Sequence, residues 1–179
     1  MNNGQGYRMM FLGFFGTWWI IVGCLGYYGP SIPMLAVAAL AGVSIVMAGW
    51  VLRARRAVEQ IAAIPDGVER QRRFRNINIA QWTAIIILIV ALNVTGYTKW
   101  MNPGIIMIVG LHFVPLARLF GSRLNLITGC ALIAIAVASP VFGDGGPASP
   151  AVPLLAGVLL WGSALIGCSA VARQGRLEA

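Results

Sequence analysis

The hydrophobic pattern of the chain is dominated by six long apolar segments. Short stretches rich in polar residues, glycine or proline separate them. These segments cover 9–28, 32–52, 77–98, 103–119, 124–142 and 151–172. Most of them approach the ~20 apolar residues that a helix needs to cross a hydrocarbon core of ~30 Å. The pattern therefore predicts an all-α integral membrane bundle of six transmembrane helices, forming a single domain over 1–179.

The composition favours the same environment. Hydrophobic residues make up 59% of the chain and charged residues 10%, and the mean hydropathy is +0.81. A soluble domain usually carries about 25% charged residues. A soluble fold of this size exposes much of its surface to water and cannot hide so many apolar side chains, whereas a bilayer removes that limit.

The basic residues are divided unequally between the two sides that the six segments define. If the N-terminus is cytoplasmic, twelve of the thirteen basic residues lie on that side and only Lys99 lies outside. Because positive charge collects on the cytoplasmic side of membrane proteins, both termini are predicted to be cytoplasmic. The same tendency explains the net charge of +8. We expect no nucleic acid partner, since the basic segments contain no readable binding motif.

The stretch 53–76, between the second and third segments, contains helix-favouring runs on both sides of a Pro65-Asp66-Gly67 turn. We expect spans two and three to extend from the membrane as a cytoplasmic helical hairpin. Four arginines near its second arm form a dense basic patch: Arg70, Arg72, Arg73 and Arg75. The patch predicts contact with anionic lipids at the cytoplasmic face. The alternative is that it serves only as a topology signal.

The single histidine is the leading candidate for function. His112 lies nine residues after Pro103, roughly 13 Å along the fourth span and therefore near the middle of the membrane. An ionisable residue at that depth is a candidate functional group. Pro115 cannot donate a backbone hydrogen bond, which predicts a kink beside it. Asn93 is the expected polar partner of His112; the structural alternative is an interhelical hydrogen bond that only steadies packing.

A second candidate group lies at the inner ends of spans four and five. Arg118 and Arg123 flank the turn between these spans, and Asn125 opens span five. Their proximity predicts a polar pocket able to hold a lipid phosphate. The alternative is that the two arginines simply extend toward the membrane surface.

Acidic residues are absent from all six predicted spans, although proton- and sodium-coupled transporters often need a carboxylate at that depth. The chain also lacks HExxH, GxSxG and phosphate-binding glycine motifs. No nucleophile–base pair can be named, so no catalytic residue is predicted. A lipid-modifying enzyme using His112 is therefore the weakest hypothesis. The three cysteines form no CxxC pair, and we expect neither a metal site nor a cofactor.

The segment Gly110-Leu111-His112-Phe113-Val114-Pro115, within a small multi-helix chain, resembles an uncharacterised group of small bacterial multi-pass membrane proteins. The likeness covers the fourth span. It implies a bacterial cytoplasmic (inner) membrane protein, and it implies no activity or partner.

Two functions follow from these observations. The first is transport, or binding of a small molecule or lipid, near the kinked fourth span. The second is a non-catalytic scaffold or regulator that acts through the basic hairpin. Stripes of small residues on spans two, five and six also allow close helix packing within or between chains, so a homo-oligomer is a further expectation.

Overall fold

The computed structural model describes residues 4–30, 32–57, 67–142 and 145–177. Within these ranges the chain forms α-helices and short 3-10 helices, with no strand. The α-helices are α1 (Gly4–Tyr28), α2 (Ile32–Ala57), α3 (Gly67–Thr95), α4 (Met101–Phe120), α5 (Arg123–Ala138) and α6 (Ala151–Leu177). The 3-10 helices are Thr98–Trp100, Ser139–Val141 and Gly146–Ala148. Each predicted span thus corresponds to one α-helix, which confirms the all-helical architecture.

Four stretches of the described chain are long and apolar enough to cross a membrane. These stretches are Phe11–Tyr28, Arg72–Thr95, Thr98–Phe120 and Arg123–Val141. Within the described residues, α2 and α6 contain shorter apolar stretches, Ala36–Met47 and Ala151–Gly167.

The two arms of the predicted hairpin are helical where the structure describes them. Helix α2 continues past Leu52 to Ala57, and α3 begins at Gly67, ten residues before Ile77. Residues 58–66, which include the predicted turn at Pro65, lie outside the described part of the chain. The packing of the two arms as a hairpin therefore stays a prediction.

A tight turn joins α4 to α5 and sets the position of Asn125. Gly121 adopts a left-handed φ of 60°, and its backbone N–H donates to the carbonyl of Ala117. Glycine suits this conformation because it has no Cβ to clash with the backbone. The Ser122 hydroxyl then caps α5 by accepting a hydrogen bond from the Asn125 N–H, at 3.4 Å. Asn125 is thereby held in the first turn of α5.

The described helices divide into two compact units. The first unit contains α1, α2 and the part of α6 from Gly157 onward. Its helices approach closely at glycines: Gly42 lies against Thr17, and Gly16 and Gly157 lie against each other's carbonyl oxygens. Small residues of this kind let apolar helices pack through extensive van der Waals contact.

The second unit contains α3, α4, α5 and residues up to Ala156. Helices α4 and α5 cross at Gly110 and Gly129. A Cβ on Gly110 would lie 2.9 Å from the Gly129 carbonyl oxygen, and a Cβ on Gly129 would lie 2.8 Å from that of Gly110. Helix α3 packs on α4 along one stripe, from which Gln81 and Ile85 are buried.

Candidate functional site

Two contacts fix how α3 lies along α4. The Leu88 side chain packs against Gly104 near one end of the pair, and the rings of Phe74 and Phe120 meet at 5.9 Å near the other. Both contacts pair an early residue of one helix with a late residue of the other, so the two helices are antiparallel.

This register brings His112 and Gln81 to the same level. His112 lies eight residues from both Gly104 and Phe120, midway between the two contacts on α4. Gln81 lies seven residues from both Leu88 and Phe74, midway between the same contacts on α3. Since both helices rise by the same amount per residue, the two side chains belong to one layer of the unit.

Both side chains are buried, and each has polar atoms that make no hydrogen bond of good geometry. His112 and Gln81 are each 5% exposed. The imidazole of His112 approaches the backbone of Ile77, one turn from Gln81 on α3. Even so, neither ring nitrogen reaches a hydrogen bond of good geometry, and the Oε1 atom of Gln81 also has no partner.

Two further amide oxygens extend this unpaired set. The Oδ1 atoms of Asn78 on α3 and Asn125 on α5 are buried without a hydrogen-bond partner. Asn78 lies three residues before Gln81. Asn125 is 2% exposed and lies one turn from Gly129, which contacts Phe113, the residue after His112. We call Asn78, Gln81, His112 and Asn125 the polar cluster; its members come from three helices of one unit.

The chemistry of the polar cluster is dominated by acceptors. Three carbonyl oxygens lack a donor, and a neutral imidazole adds one acceptor and one donor nitrogen. A buried polar group without a partner typically costs ~1–3 kcal/mol in a protein. Acceptors of this kind are satisfied by ligands that bear N–H or O–H groups.

The structure does not bring Asn93 to His112. Asn93 lies on α3 five residues beyond Leu88, away from Gln81. Its side chain is exposed, and its amide nitrogen donates to the carbonyl of Ile89, at 2.7 Å. At the level of His112, α3 presents Gln81 instead.

The remaining predicted site residues of spans four and five differ in their exposure to solvent. Helix α4 is continuous through Pro115, which is half-buried. Arg118 and Arg123 are exposed, whereas Asn125 is buried. The lipid-phosphate pocket expected at the two arginines and Asn125 stays a prediction.

The basic patch on α3 divides into residues with different environments. Arg73 forms an ion pair with Glu69, with 2.6 Å between Nη2 and Oε1. Arg72 and Arg75 are exposed and line a groove along α3. The side chain of Arg70 lies outside the described part of the structure.

Sequence reasoning missed Gln81 and Asn78, although the sequence carried a signal for both. They are two amide side chains at i and i+3, on one face of an otherwise apolar helix segment. Counting residues outward from the turn between spans three and four would also have placed Asn93 too close to that turn to meet His112.

Comparison with known protein families, with curated proteins and with solved structures finds no match for this chain. Within the described residues, no group of three or more His, Cys, Asp or Glu side chains is placed to hold a metal ion. The site is therefore interpreted from its own residues alone.

Proposed function

We propose that this chain is a multi-pass membrane protein that binds a small polar solute at the polar cluster. Its long apolar helices support the membrane placement, and α3 supports it most strongly. Within Arg72–Thr95 only Gln81 and Ile85 are buried. Apolar side chains such as Ile87 and Val94 are 62% and 81% exposed. Lipid is the natural surrounding for so much exposed apolar surface.

One observation carries the binding proposal: the ring nitrogens of His112 and the Oε1 atom of Gln81 are buried at the same level and make no hydrogen bond of good geometry. In hydrocarbon each unsatisfied polar group costs several kcal/mol, because no water is present to replace the missing partner. A polar group used only for packing would be expected to find a partner on a neighbouring helix. A bound solute supplies the missing partner for both residues.

The same chemistry defines the class of solute. The unpaired lone pairs of the buried amide oxygens favour a molecule with several donors. No acidic residue lies within the apolar segments of α3, α4 or α5, so a bound cation would lack a countercharge in a low-dielectric surrounding. The best fit is a small neutral molecule rich in N–H or O–H groups, such as a polyol or urea.

Transport is the natural extension of such binding, if the solute enters from one side of the membrane and leaves on the other. Flux of glycerol into vesicles that contain the protein would distinguish transport from binding alone. The alternative role as a scaffold depends on the hairpin, whose turn lies outside the described residues.

The single histidine allows a site-specific test. We would label the chain with ¹⁵N-histidine, place it in lipid nanodiscs, and titrate it with glycerol and with urea at millimolar, non-denaturing concentrations. We expect a saturable shift of the imidazole nitrogen resonances with at least one of these probes, because the solute replaces an absent hydrogen bond.

Two variants make the test specific. Gln81→Leu removes the facing amide and should abolish the shift. Asn93→Leu removes an exposed amide on the same helix and should leave the shift unchanged. If neither probe moves the wild-type resonances, or if Gln81→Leu responds as the wild type does, the proposed site is wrong.

A further inference from the structure

A second face of α3 carries a stripe of a different composition. Arg72, Arg75, Ile79, Trp82 and Ile86 follow one another at alternating intervals of three and four residues. This spacing places them on one face of the helix. They line, together with Asn78, a groove of about 840 Å³.

The groove is polar at one end and apolar along the rest. Arg72 and Arg75 are exposed at its polar end, and Asn78 follows them. Beyond Asn78, Ile79, Trp82 and Ile86 are 57%, 50% and 59% exposed. The surface therefore changes from cationic to apolar along the helix. This arrangement complements an anionic amphiphile, which has a charged head and an apolar tail.

The ion pairing of nearby residues determines the net charge at the polar end of the groove. Arg73 is already paired with Glu69, so that pair adds little net charge. In the part of the chain that the structure describes, neither Arg72 nor Arg75 forms an ion pair. Two positive charges thus remain at the polar end of the groove.

The length of the apolar part matches one leaflet of a bilayer. From Arg75 to Ile86 is eleven residues, or roughly 16 Å of helix. Half of a ~30 Å hydrocarbon core is ~15 Å. An acyl chain that starts at the arginines would reach the middle of the membrane near Ile86.

We propose that this groove binds one anionic phospholipid. Its phosphate would lie between Arg72 and Arg75, and one acyl chain would follow Ile79, Trp82 and Ile86. Arginine suits the first role because its guanidinium makes paired, charge-assisted hydrogen bonds with phosphate oxygens. This proposal rests on the membrane placement proposed above but not on the polar cluster.

Trp82 provides the reporter for a test. We would place the full chain in phosphatidylcholine vesicles that contain brominated phosphatidylglycerol or, at the same mole fraction, brominated phosphatidylcholine. Quenching of Trp82 is the difference between the wild type and Trp82→Phe, which separates it from the other five tryptophans. We expect Trp82 to be quenched at lower mole fractions of the anionic lipid.

Charge variants on the same helix then locate the headgroup. Arg72→Gln and Arg75→Gln should each reduce the preference for the anionic lipid about fivefold, the effect of one basic residue near a membrane surface. The double variant Glu69→Gln/Arg73→Gln removes the neighbouring ion pair without changing the net charge, and it should alter the preference less than twofold. Arg75→Lys keeps the charge and should retain most of the preference.

Each contrary result has a distinct meaning. If no tryptophan is quenched by brominated phosphatidylcholine, the membrane placement itself fails. The lipid site is overturned if Trp82 shows no preference for the anionic lipid, or if the double variant Glu69→Gln/Arg73→Gln lowers the preference as much as Arg72→Gln does. It is also overturned if self-association shields Trp82 from both lipids.

Discussion

Thr17 on α1 and His112 on α4 both place a polar group on an apolar helix, yet their hydrogen bonding differs. The Thr17 hydroxyl donates to the carbonyl of Gly13 at 2.7 Å and accepts from the indole nitrogen of Trp161 at 3.2 Å. It thereby links α1 to α6 within the first unit. Neither nitrogen of His112 makes a hydrogen bond of good geometry in the second unit.

The same difference holds for the other buried polar atoms that lack a hydrogen-bond partner. Within the described residues, all buried side-chain nitrogen and oxygen atoms without a partner belong to the second unit: Asn78, Gln81, His112, Asn125 and Ser139. In the first unit, the hydrogen bond between Trp161 and Thr17 joins two helices. The second unit keeps several of its polar groups unpaired, which is the arrangement expected where a ligand supplies the partner.

Both units depend on close helix packing at glycine, and substitutions at these glycines should have the largest effect on the free energy of unfolding. Gly157→Ala would place a Cβ 2.8 Å from the Gly16 carbonyl, and Gly110→Ala would place one 2.9 Å from the Gly129 carbonyl. Backbone atoms cannot move aside without separating the helices. We expect each change to lower the free energy of unfolding in bicelles by about 2–3 kcal/mol.

Gly162→Ala is the matched control, because a Cβ at Gly162 meets nothing within 4 Å. It should leave stability unchanged or raise it slightly. Equal effects of Gly110→Ala and Gly162→Ala would show that α4 and α5 do not pack as described.

A smaller effect is expected where the first unit pairs its polar groups. Thr17→Val removes the hydroxyl and leaves the indole N–H of Trp161 without its acceptor. The free energy of unfolding should fall by about 1 kcal/mol. Thr17→Ser, which keeps the hydroxyl, should retain most of the stability. A loss in Thr17→Ser with none in Thr17→Val would mean that the Thr17 methyl group, rather than the hydrogen bond, is responsible.

The smallest effect is expected at the exposed ion pair. Glu69 and Arg73 are 69% and 67% exposed, so water screens their attraction. Glu69→Gln should change the free energy of unfolding by less than about 0.5 kcal/mol. A loss as large as that of Thr17→Val would contradict this ranking of exposed and buried pairs.

The helices were predictable from the sequence because long apolar runs, and the glycine, proline and polar residues between them, determine helix positions locally. Each predicted span corresponds to a helix, and the breaks at Gly29 and Gly121 coincide with left-handed glycines. Helix α3 ends at Thr95, before the left-handed Gly96 and three residues short of the predicted end of the third span. The extension of α2 to Ala57 and the early start of α3 at Gly67 also follow from local helix-favouring runs.

The site was predictable only in part, because it depends on the register between helices. His112 and Asn125 stood out as polar residues in apolar segments. Which residue faces His112 depends on how α3 and α4 slide past one another, and that is set by contacts such as Leu88 with Gly104. Such contacts join residues that are distant in sequence, so Asn93 was predicted where Gln81 lies.

The stability of Gln81→Leu tests most directly the contrast between paired and unpaired polar groups. It is measured in bicelles without added solute and compared with the stability of Thr17→Val. Leucine fills a similar volume and removes a buried oxygen that has no partner. We predict that Gln81→Leu raises the free energy of unfolding by about 1 kcal/mol, opposite in sign to Thr17→Val. A decrease similar to that of Thr17→Val would mean that Gln81 has a partner within the protein, and it would contradict a polar cluster kept unpaired for a ligand.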